Sequence, residues 1–518
     1  MSAINSVANF VSDRANPVVV KELRQAVQSR LVIAILLLFL LANVTVTASY
    51  LTWSPDIQSN MQAGQNLFSM LFGLLVVTSM IFVPLYAAIR MTMERNNSNI
   101  DLLFITTIPA GAIIRGKFWS AAALTALIYS TCLPFLTLTY LLRGIDLPSI
   151  FVVLSGAFLA TLLVIMLAVF VGSVSGGMLL RVLLGALLIW IGAWTMGMVI
   201  LIGTTSVQFG FGSDVFSHDG IIGIGMTLAS SFAAWTLLYL LSVAAVSAPS
   251  SNRMFPVRIF ITISCFVLAA IVALTAYSQK DLDPIIAWVV MSTGVLTILM
   301  PVILCEREDW TLRVKRTIPR NFVARLLAWL LYTGSAGGLI WCGLLSILTL
   351  ASANQMAHWI EALRASTGIS SYSMALSDFS EILNNCSLVL LYSWCYCMSG
   401  LLARRWIVPK TSPQMSTVLA ALLLGFSATI PLVFAYVVFD SRVSFDLLPF
   451  YYVAANPFVL MNNHFHRSDL APFLWSWAVL VTLLNWNWFS GQWLAFRNHT
   501  SKAPPALEVP PEPAVIHG

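Results

Sequence analysis

Two short stretches of the sequence carry residue types that nucleotide or metal chemistry requires. Residues 111–117 read GAIIRGK, which has the spacing of a phosphate-binding loop. Phe118 follows where such a loop needs Ser or Thr to hold Mg²⁺, and a membrane helix is predicted there in place of a strand–loop–helix unit. His464 and His466 lie near Asp469 and have the side chains of a metal site. We interpret them as incidental histidines in a solvated external loop.

A third motif and the placement of charge also argue against chemistry in this chain. Residues 174–178 read VSGGM, close to the LSGGQ signature of transport ATPases, but they form a predicted tight turn between two apolar runs. No ionisable residue lies near the middle of a predicted span, which disfavours a proton-driven carrier because such carriers use intramembrane charges. The sequence therefore predicts no catalytic residue, no bound cofactor and no metal site.

The elements that position these residues are apolar runs. Hydrophobic residues make up 59% of the 518 residues and charged residues only 9%, whereas a soluble domain has about 25% charged residues. Each run has the ~20 residues that a helix needs to cross a bilayer. We predict an all-α polytopic membrane protein with twelve transmembrane helices, at 31–51, 67–90, 118–142, 150–172, 178–203, 222–247, 258–278, 284–304, 324–350, 382–402, 415–439 and 472–494.

The distribution of basic residues predicts the orientation of the chain. With the N-terminus in the cytoplasm, 22 of the 27 Lys and Arg residues fall on the cytoplasmic side. We therefore predict a multi-pass protein of the cell (inner) membrane with both termini cytoplasmic. The basic balance reflects this orientation and the anionic lipid headgroups, and it does not indicate nucleic-acid binding.

The sequence of the N-terminal region predicts a helix at the membrane surface before the first span. Residues 16–30 form a predicted amphipathic helix that lies flat on the membrane surface. Its polar face is expected to carry Lys21, Glu22, Arg24, Gln25 and Gln28. The predicted organisation is a cytoplasmic N-terminus at 1–30, six-helix halves at 31–247 and 248–494, and a disordered cytoplasmic tail at 495–518.

An internal repeat supports the two halves. Glu94-Arg95 after the second span is followed by Thr107-Ile108-Pro109, and Glu306-Arg307 after the eighth span is followed by Thr317-Ile318-Pro319. Arg115 and Arg325 each lie six residues beyond the proline. Because the second and eighth spans are six apart, this repetition favours two parallel six-helix halves in one chain.

The segment 90–117 resembles the cytoplasmic loop of ABC-2-type transporter permeases. It is too polar to cross the membrane, and Pro109 ends an apolar pattern that predicts a short helix along the surface. The chain departs from the family at Ser98 and Asn99, where Gly-Thr is common. The residues at matching places are Glu94, Arg95, Asp101, Leu102, Leu103, Thr107, Pro109, Gly116 and Lys117.

Two other segments are similar to the same family. They are the opening NPVVVKELRQ at 16–25 and APSSNR at 248–253. The resemblance implies a permease subunit that couples to a separate ATP-binding cassette subunit, in two copies, with ATP and Mg²⁺ bound in that partner. In the family the loop after the second helix contacts the ATPase, so the matching residues above are the predicted contacts. The repeat implies a second contact through Glu306, Arg307, Thr317 and Pro319.

Two alternatives stay open at this stage. A membrane-embedded glycosyl- or acyl-transferase acting on lipid-linked substrates would use the long connections 351–381 and 440–471 to cover a site. An interaction scaffold would form a membrane complex without transport. Membrane lipids are partners under every interpretation, and no residue pattern identifies a transported substrate or the direction of transport.

Overall fold

The computed structural model describes most of the chain as helices joined by short segments. The described residues are 17–53, 62–96, 109–142, 145–174, 178–209, 218–248, 250–367, 376–439, 454–457 and 467–497, and no strand occurs among them. Their helices are α1 (Pro17–Val27), α2 (Arg30–Trp53), α3 (Ala63–Asn96), α4 (Ala110–Leu141), α5 (Leu147–Ser173), α6 (Met178–Phe209), α7 (His218–Val246), α8 (Phe255–Gln279), α9 (Asp283–Leu304), α10 (Leu312–Thr317), α11 (Phe322–Leu331), α12 (Ser335–Thr367), α13 (Leu376–Ile407), α14 (Gln414–Phe439), α15 (Arg467–Leu484) and α16 (Trp486–Ala495).

Ten of these helices are long and apolar enough to cross a membrane: α2 to α9, α12 and α13. Shorter apolar stretches occupy Phe322–Leu331, Gln414–Ile430 and Leu470–Leu484. The chain is therefore an all-α polytopic membrane protein, as the hydropathy predicted. The count of twelve spans stays a prediction, because α14 and α15 have apolar stretches shorter than the ten.

Three predicted boundaries differ from the structure. The expected single span at 324–350 is interrupted, since α11 ends at Leu331 and α12 begins at Ser335. The last expected span, 472–494, is also interrupted, and Asn485 lies between α15 and α16 with its amide donating to the carbonyls of Met398 and Val481. The connection at 351–381 is helical over most of its length, because α12 continues to Thr367 and α13 starts at Leu376.

The chain divides into two compact units. Unit 1 comprises Met1–Pro249 with Ile259–Ile271, and unit 2 comprises Ser250–Arg258 with Val272–Gly518. In unit 1, α3 packs against α4, α5 and α6, and its buried side chains include Phe68, Phe72 and Leu75. In unit 2, α13 packs against α9, α12, α14 and α15. The predicted six-helix halves stay a prediction, since residues of α8 belong to both units.

Helix α1 is amphipathic, but one residue of its predicted polar face, Glu22, is buried. It packs against α4 in unit 1, with Glu22 and Ala26 buried and Lys21 and Arg24 exposed. The assignment of Glu22 to a solvated polar face was therefore wrong. Its carboxylate is buried because a cation on α4 lies opposite it.

Candidate functional site at two buried ion clusters

In unit 1, one lysine joins three helices. The Lys117 ammonium on α4 lies 2.8 Å from a carboxylate oxygen of Glu94 on α3 and 3.2 Å from one of Glu22 on α1. The Lys117 side chain is 4% exposed, and that of Glu22 is 7% exposed. Each buried charge thus has a partner, which a group removed from water requires. We call these three residues the lysine cluster.

The local structure explains why these charges meet. Helix α3 ends at Asn96 and α4 begins at Ala110, so Glu94 and Lys117 come from helix ends that flank the segment 97–109. A carboxylate near a helix C-terminus is disfavoured by the helix dipole, and the Lys117 ammonium offsets that cost at Glu94. Arg90 strengthens the same junction, since its guanidinium donates to the Gln25 side-chain oxygen at 2.6 Å.

In unit 2, an arginine replaces the lysine and forms more hydrogen bonds. One terminal nitrogen of Arg258 on α8 donates to both carboxylate oxygens of Glu306 at 2.7 Å. The backbone N–H of Gly334 donates to the same carboxylate at 2.7 Å. The side chains of Arg258 and Glu306 are 2% and 4% exposed. We call this group the arginine cluster.

The arginine cluster explains the interruption between α11 and α12. The other terminal nitrogen of Arg258 donates to the carbonyls of Leu330 at 2.9 Å and Tyr332 at 2.5 Å. The nitrogen that binds Glu306 also donates to the carbonyl of Gly334 at 3.0 Å. A buried backbone carbonyl needs a hydrogen-bond partner, and an interrupted helix leaves several without one. The five donors of a guanidinium can satisfy them, so Arg258 stabilises the break.

A glycine makes room for this guanidinium. A Cβ atom at Gly338 would contact the terminal nitrogen of Arg258 and the side chain of Ile303. Only a residue without a side chain leaves the cation its place. Gly338 is therefore part of the arginine cluster.

Burial and the neighbouring positive charge shift the pKa of Glu306 in opposite directions. Burial raises the pKa of the Glu306 carboxyl above its usual range. The charge of Arg258 and the hydrogen bonds from Gly334 and Arg258 act to lower the same pKa. With both oxygens bonded to protein donors, Glu306 has no free oxygen to offer a partner protein, and its contribution is to hold helix ends together.

The structure places some of the predicted coupling residues and leaves others outside the described part. Gly116 and Lys117 are buried in α4 and Pro109 is exposed before it, so the residues at 111–117 belong to a helix and not to a phosphate-binding loop. Arg307 and Thr317 are exposed and Pro319 is half-buried. The side chain of Arg95 and residues Asp101, Leu102, Leu103 and Thr107 lie outside the described residues, as do His464 and His466.

Two charged members of the clusters were missed by sequence reasoning, as was Gly338. Glu22 was placed on a polar face, and Arg258 was counted only toward topology. The signal for Arg258 was its position at the start of an apolar run, where a charge needs a partner. Within the described part of the chain, no group of three His, Cys, Asp or Glu side chains is arranged to hold a metal ion.

No protein-family model, curated protein or solved structure matches this chain. The class that the fold defines is a multi-pass helical membrane protein. The lysine and arginine clusters are two of the buried charged sites that the described residues form near helix ends.

Proposed function

We propose that the chain is the transmembrane permease subunit of an ABC-2-type, ATP-driven exporter that couples to a separate ATP-binding subunit. One observation carries the proposal. The segment 97–109, whose sequence resembles the family's coupling loop, is flanked by Glu94 and Lys117, and these two side chains form an ion pair of 2.8 Å. The segment thus emerges from a joined pair of helix ends.

A junction of this kind would transmit movement of the segment 97–109 to the helices that it joins. A partner that displaced the segment would move α3 and α4 together, because the ion pair links them, and α1 would follow through Glu22. Removal of Lys117 would leave Glu22 buried without a partner while Glu94 could turn toward water, a cost of roughly 2–3 kcal/mol, so the ion pairs favour joint movement of the helices. Rigid movement of packed elements is a common form of conformational switching.

We expect the substrate path to lack fixed charge, because no ionisable residue lies near the middle of a predicted span. This suits lipids, apolar peptides or drugs better than ions, because an unpaired charge at membrane depth costs ~2.5–3.5 kcal/mol on insertion scales. Two ATP-binding subunits would contact the permease, with ATP and Mg²⁺ bound in those subunits. The first docking site would be the segment around Asp101, Leu102 and Leu103.

Site-specific crosslinking in native membranes tests the proposal. A tagged chain with Leu103→Cys should crosslink to an ATP-binding cassette protein, and the pair should hydrolyse ATP faster in lipid than the ATPase alone. Asp101→Arg should abolish the stimulation while the chain still inserts and purifies normally. A matched cysteine at Ser377, beside the exposed start of α13, serves as the control and should not crosslink.

The opposite results would reject the proposal. If Leu103→Cys captured no ATP-binding cassette protein, or captured it no better than Ser377→Cys, the coupling role would be lost. Transfer of a glycosyl or acyl group by the purified chain alone would instead support the membrane-embedded transferase.

A further inference from the structure

Unit 2 carries a group of cations next to an exposed apolar helix. Helix α10 and the turn after it contain Arg313, Lys315, Arg316 and Arg320, and no ion pair joins these four side chains to another described residue. Arg313, Arg316 and Arg320 are exposed, and Lys315 is half-buried. We call these four residues the basic segment. Four like charges in close sequence attract an anionic partner.

Nearby acidic residues do not neutralise this group. Glu308 forms its ion pair with Arg404, and Glu306 is buried against Arg258. Asp309 is exposed and is the remaining acid between residues 305 and 331. The basic segment therefore keeps a net positive charge at this end of unit 2.

Helix α11 follows directly and presents apolar side chains outward. Phe322 and Val323 are each 68% exposed and Leu327 is 54% exposed, with Leu326 beside them. Ala328 and Trp329 are buried on the other side. We call the exposed group the apolar face of α11. An amphipathic helix of this kind, with basic residues beside it, is typical of a membrane interface.

The contacts of α11 fit a position at a membrane surface. A Cβ atom at Gly337 would meet the backbone carbonyl of Trp329, although eight residues of continuous helix would separate them by about 12 Å. Helix α11 is thus folded back and is not an extension of α12. Trp329 and Phe322 both pack edge-on against Trp493, and Arg325 lies 4.5 Å from the centre of that indole. Tryptophan beside cations is common at the headgroup level of membranes.

We propose that the basic segment and the apolar face of α11 together bind an anionic phospholipid of the surrounding bilayer. The headgroup phosphate would contact Arg313, Arg316 and Arg320, and the acyl chains would lie against Phe322, Val323 and Leu327. The charge complementarity selects an anionic lipid, and the apolar face selects a lipid over a soluble phosphate. Thr317 and Pro319, where the repeat predicts an ATPase contact, lie among the residues of the basic segment, but the lipid proposal does not depend on the proposed function.

The test uses the full chain, purified in detergent and titrated with phosphatidylglycerol or phosphatidylcholine, with bound lipid counted by native mass spectrometry. The wild-type chain should prefer phosphatidylglycerol. R313Q/R316Q/R320Q should weaken that preference roughly 100-fold, since each cation near an anionic surface contributes about fivefold in affinity. The matched control is R24Q/R181Q/K410Q, which removes three exposed cations elsewhere. It should change the preference by less than fivefold.

A double variant, F322S/V323S, tests the contribution of the apolar contact separately from that of the charge. F322S/V323S should reduce retention of both lipids several-fold and leave their ratio unchanged. An unchanged preference in R313Q/R316Q/R320Q, or an equal loss in the control triple, would overturn the site. So would retention of both lipids by F322S/V323S. If the basic triple lost a co-purifying ATPase but kept its lipid preference, the surface would be a protein-docking site instead.

Discussion

The lysine cluster of unit 1 and the arginine cluster of unit 2 hold helix ends by different chemistry. Lys117 offers a compact charge that two carboxylates, Glu22 and Glu94, share. Arg258 offers a planar set of donors to one carboxylate and three backbone carbonyls. Lysine and arginine differ in this way wherever geometry matters, so the two cations are not interchangeable.

The difference follows the helices that each cation serves. Helix α4 is continuous through Lys117, so its backbone carbonyls already have helical partners and only a charge is needed. The chain around Arg258 is interrupted at 332–334, and free carbonyls must be satisfied. The buried cation of unit 1 thus pairs with carboxylates, whereas that of unit 2 also donates hydrogen bonds to backbone carbonyls that lack helical partners.

The two clusters also differ in the solvent exposure of their charged side chains. Glu94 is 39% exposed, whereas every charged member of the arginine cluster is below 5%. The lysine cluster also carries two carboxylates against one ammonium, so its charge is not balanced internally. These features suit a junction that moves, and the closed, neutral arginine cluster suits a fixed anchor.

Removing Arg258 should give the largest effect. Arg258→Met leaves Glu306 buried without a counter-charge and three carbonyls without donors, and we expect a loss of about 3–5 kcal/mol in the free energy of unfolding. Equilibrium unfolding in mixed detergent and SDS micelles measures it. Arg258→Lys should recover little, because an ammonium cannot reach all the acceptors.

Arg307→Met is the control for Arg258, because Arg307 is an exposed neighbour and should change stability by less than about 0.5 kcal/mol. The double variant R258M/E306L should recover part of the loss, as removal of both members of a buried pair often does. A loss below about 1 kcal/mol for Arg258→Met alone would contradict the anchor role.

Lys117→Met should give a smaller loss, of roughly 2–3 kcal/mol. Glu22 would remain buried without a partner, but Glu94 is exposed enough to turn toward water. The same unfolding measurement applies, with Arg115→Met as the control because Arg115 is exposed on the same helix. We also expect Glu22→Gln to cost more than Glu94→Gln. The reverse order would show that the partly exposed pair of Lys117 and Glu94 contributes more to stability than the buried pair of Lys117 and Glu22.

Much of the helical architecture could be predicted, because apolar runs of membrane length report directly on helices. Glu94 and Lys117 were also selected, but through family resemblance and as ATPase contacts, not as each other's partners. The interruption at 332–334 was not predicted, although Thr333, Gly334 and Ser335 form a weak local turn signal within the run 324–350. The partner that stabilises the break, Arg258, lies 72 residues before Leu330 and could not be identified from the local sequence.

Glu22 shows the same limit on a smaller scale. Helical periodicity places Glu22 on the same predicted face as Lys21 and Arg24, which indicates that this face of the helix is solvated. Its burial depends on Lys117, 95 residues away. A buried charge is set by its partner, and a single sequence does not identify that partner.

The smallest effect should come from Gly338→Ala, which leaves both charges in place and only crowds the cation. The new Cβ would meet the Arg258 guanidinium, and overpacking of this kind typically costs about 1–3 kcal/mol. Gly294→Ala on α9 is the control, since no atom lies near its added Cβ, and it should change stability little. In an Arg258→Met background the cost of Gly338→Ala should fall, because the clash with the guanidinium is removed and only the close approach to Ile303 remains. An unchanged cost without the guanidinium would assign the whole clash to Ile303, and Gly338 would then serve helix packing instead of the arginine cluster.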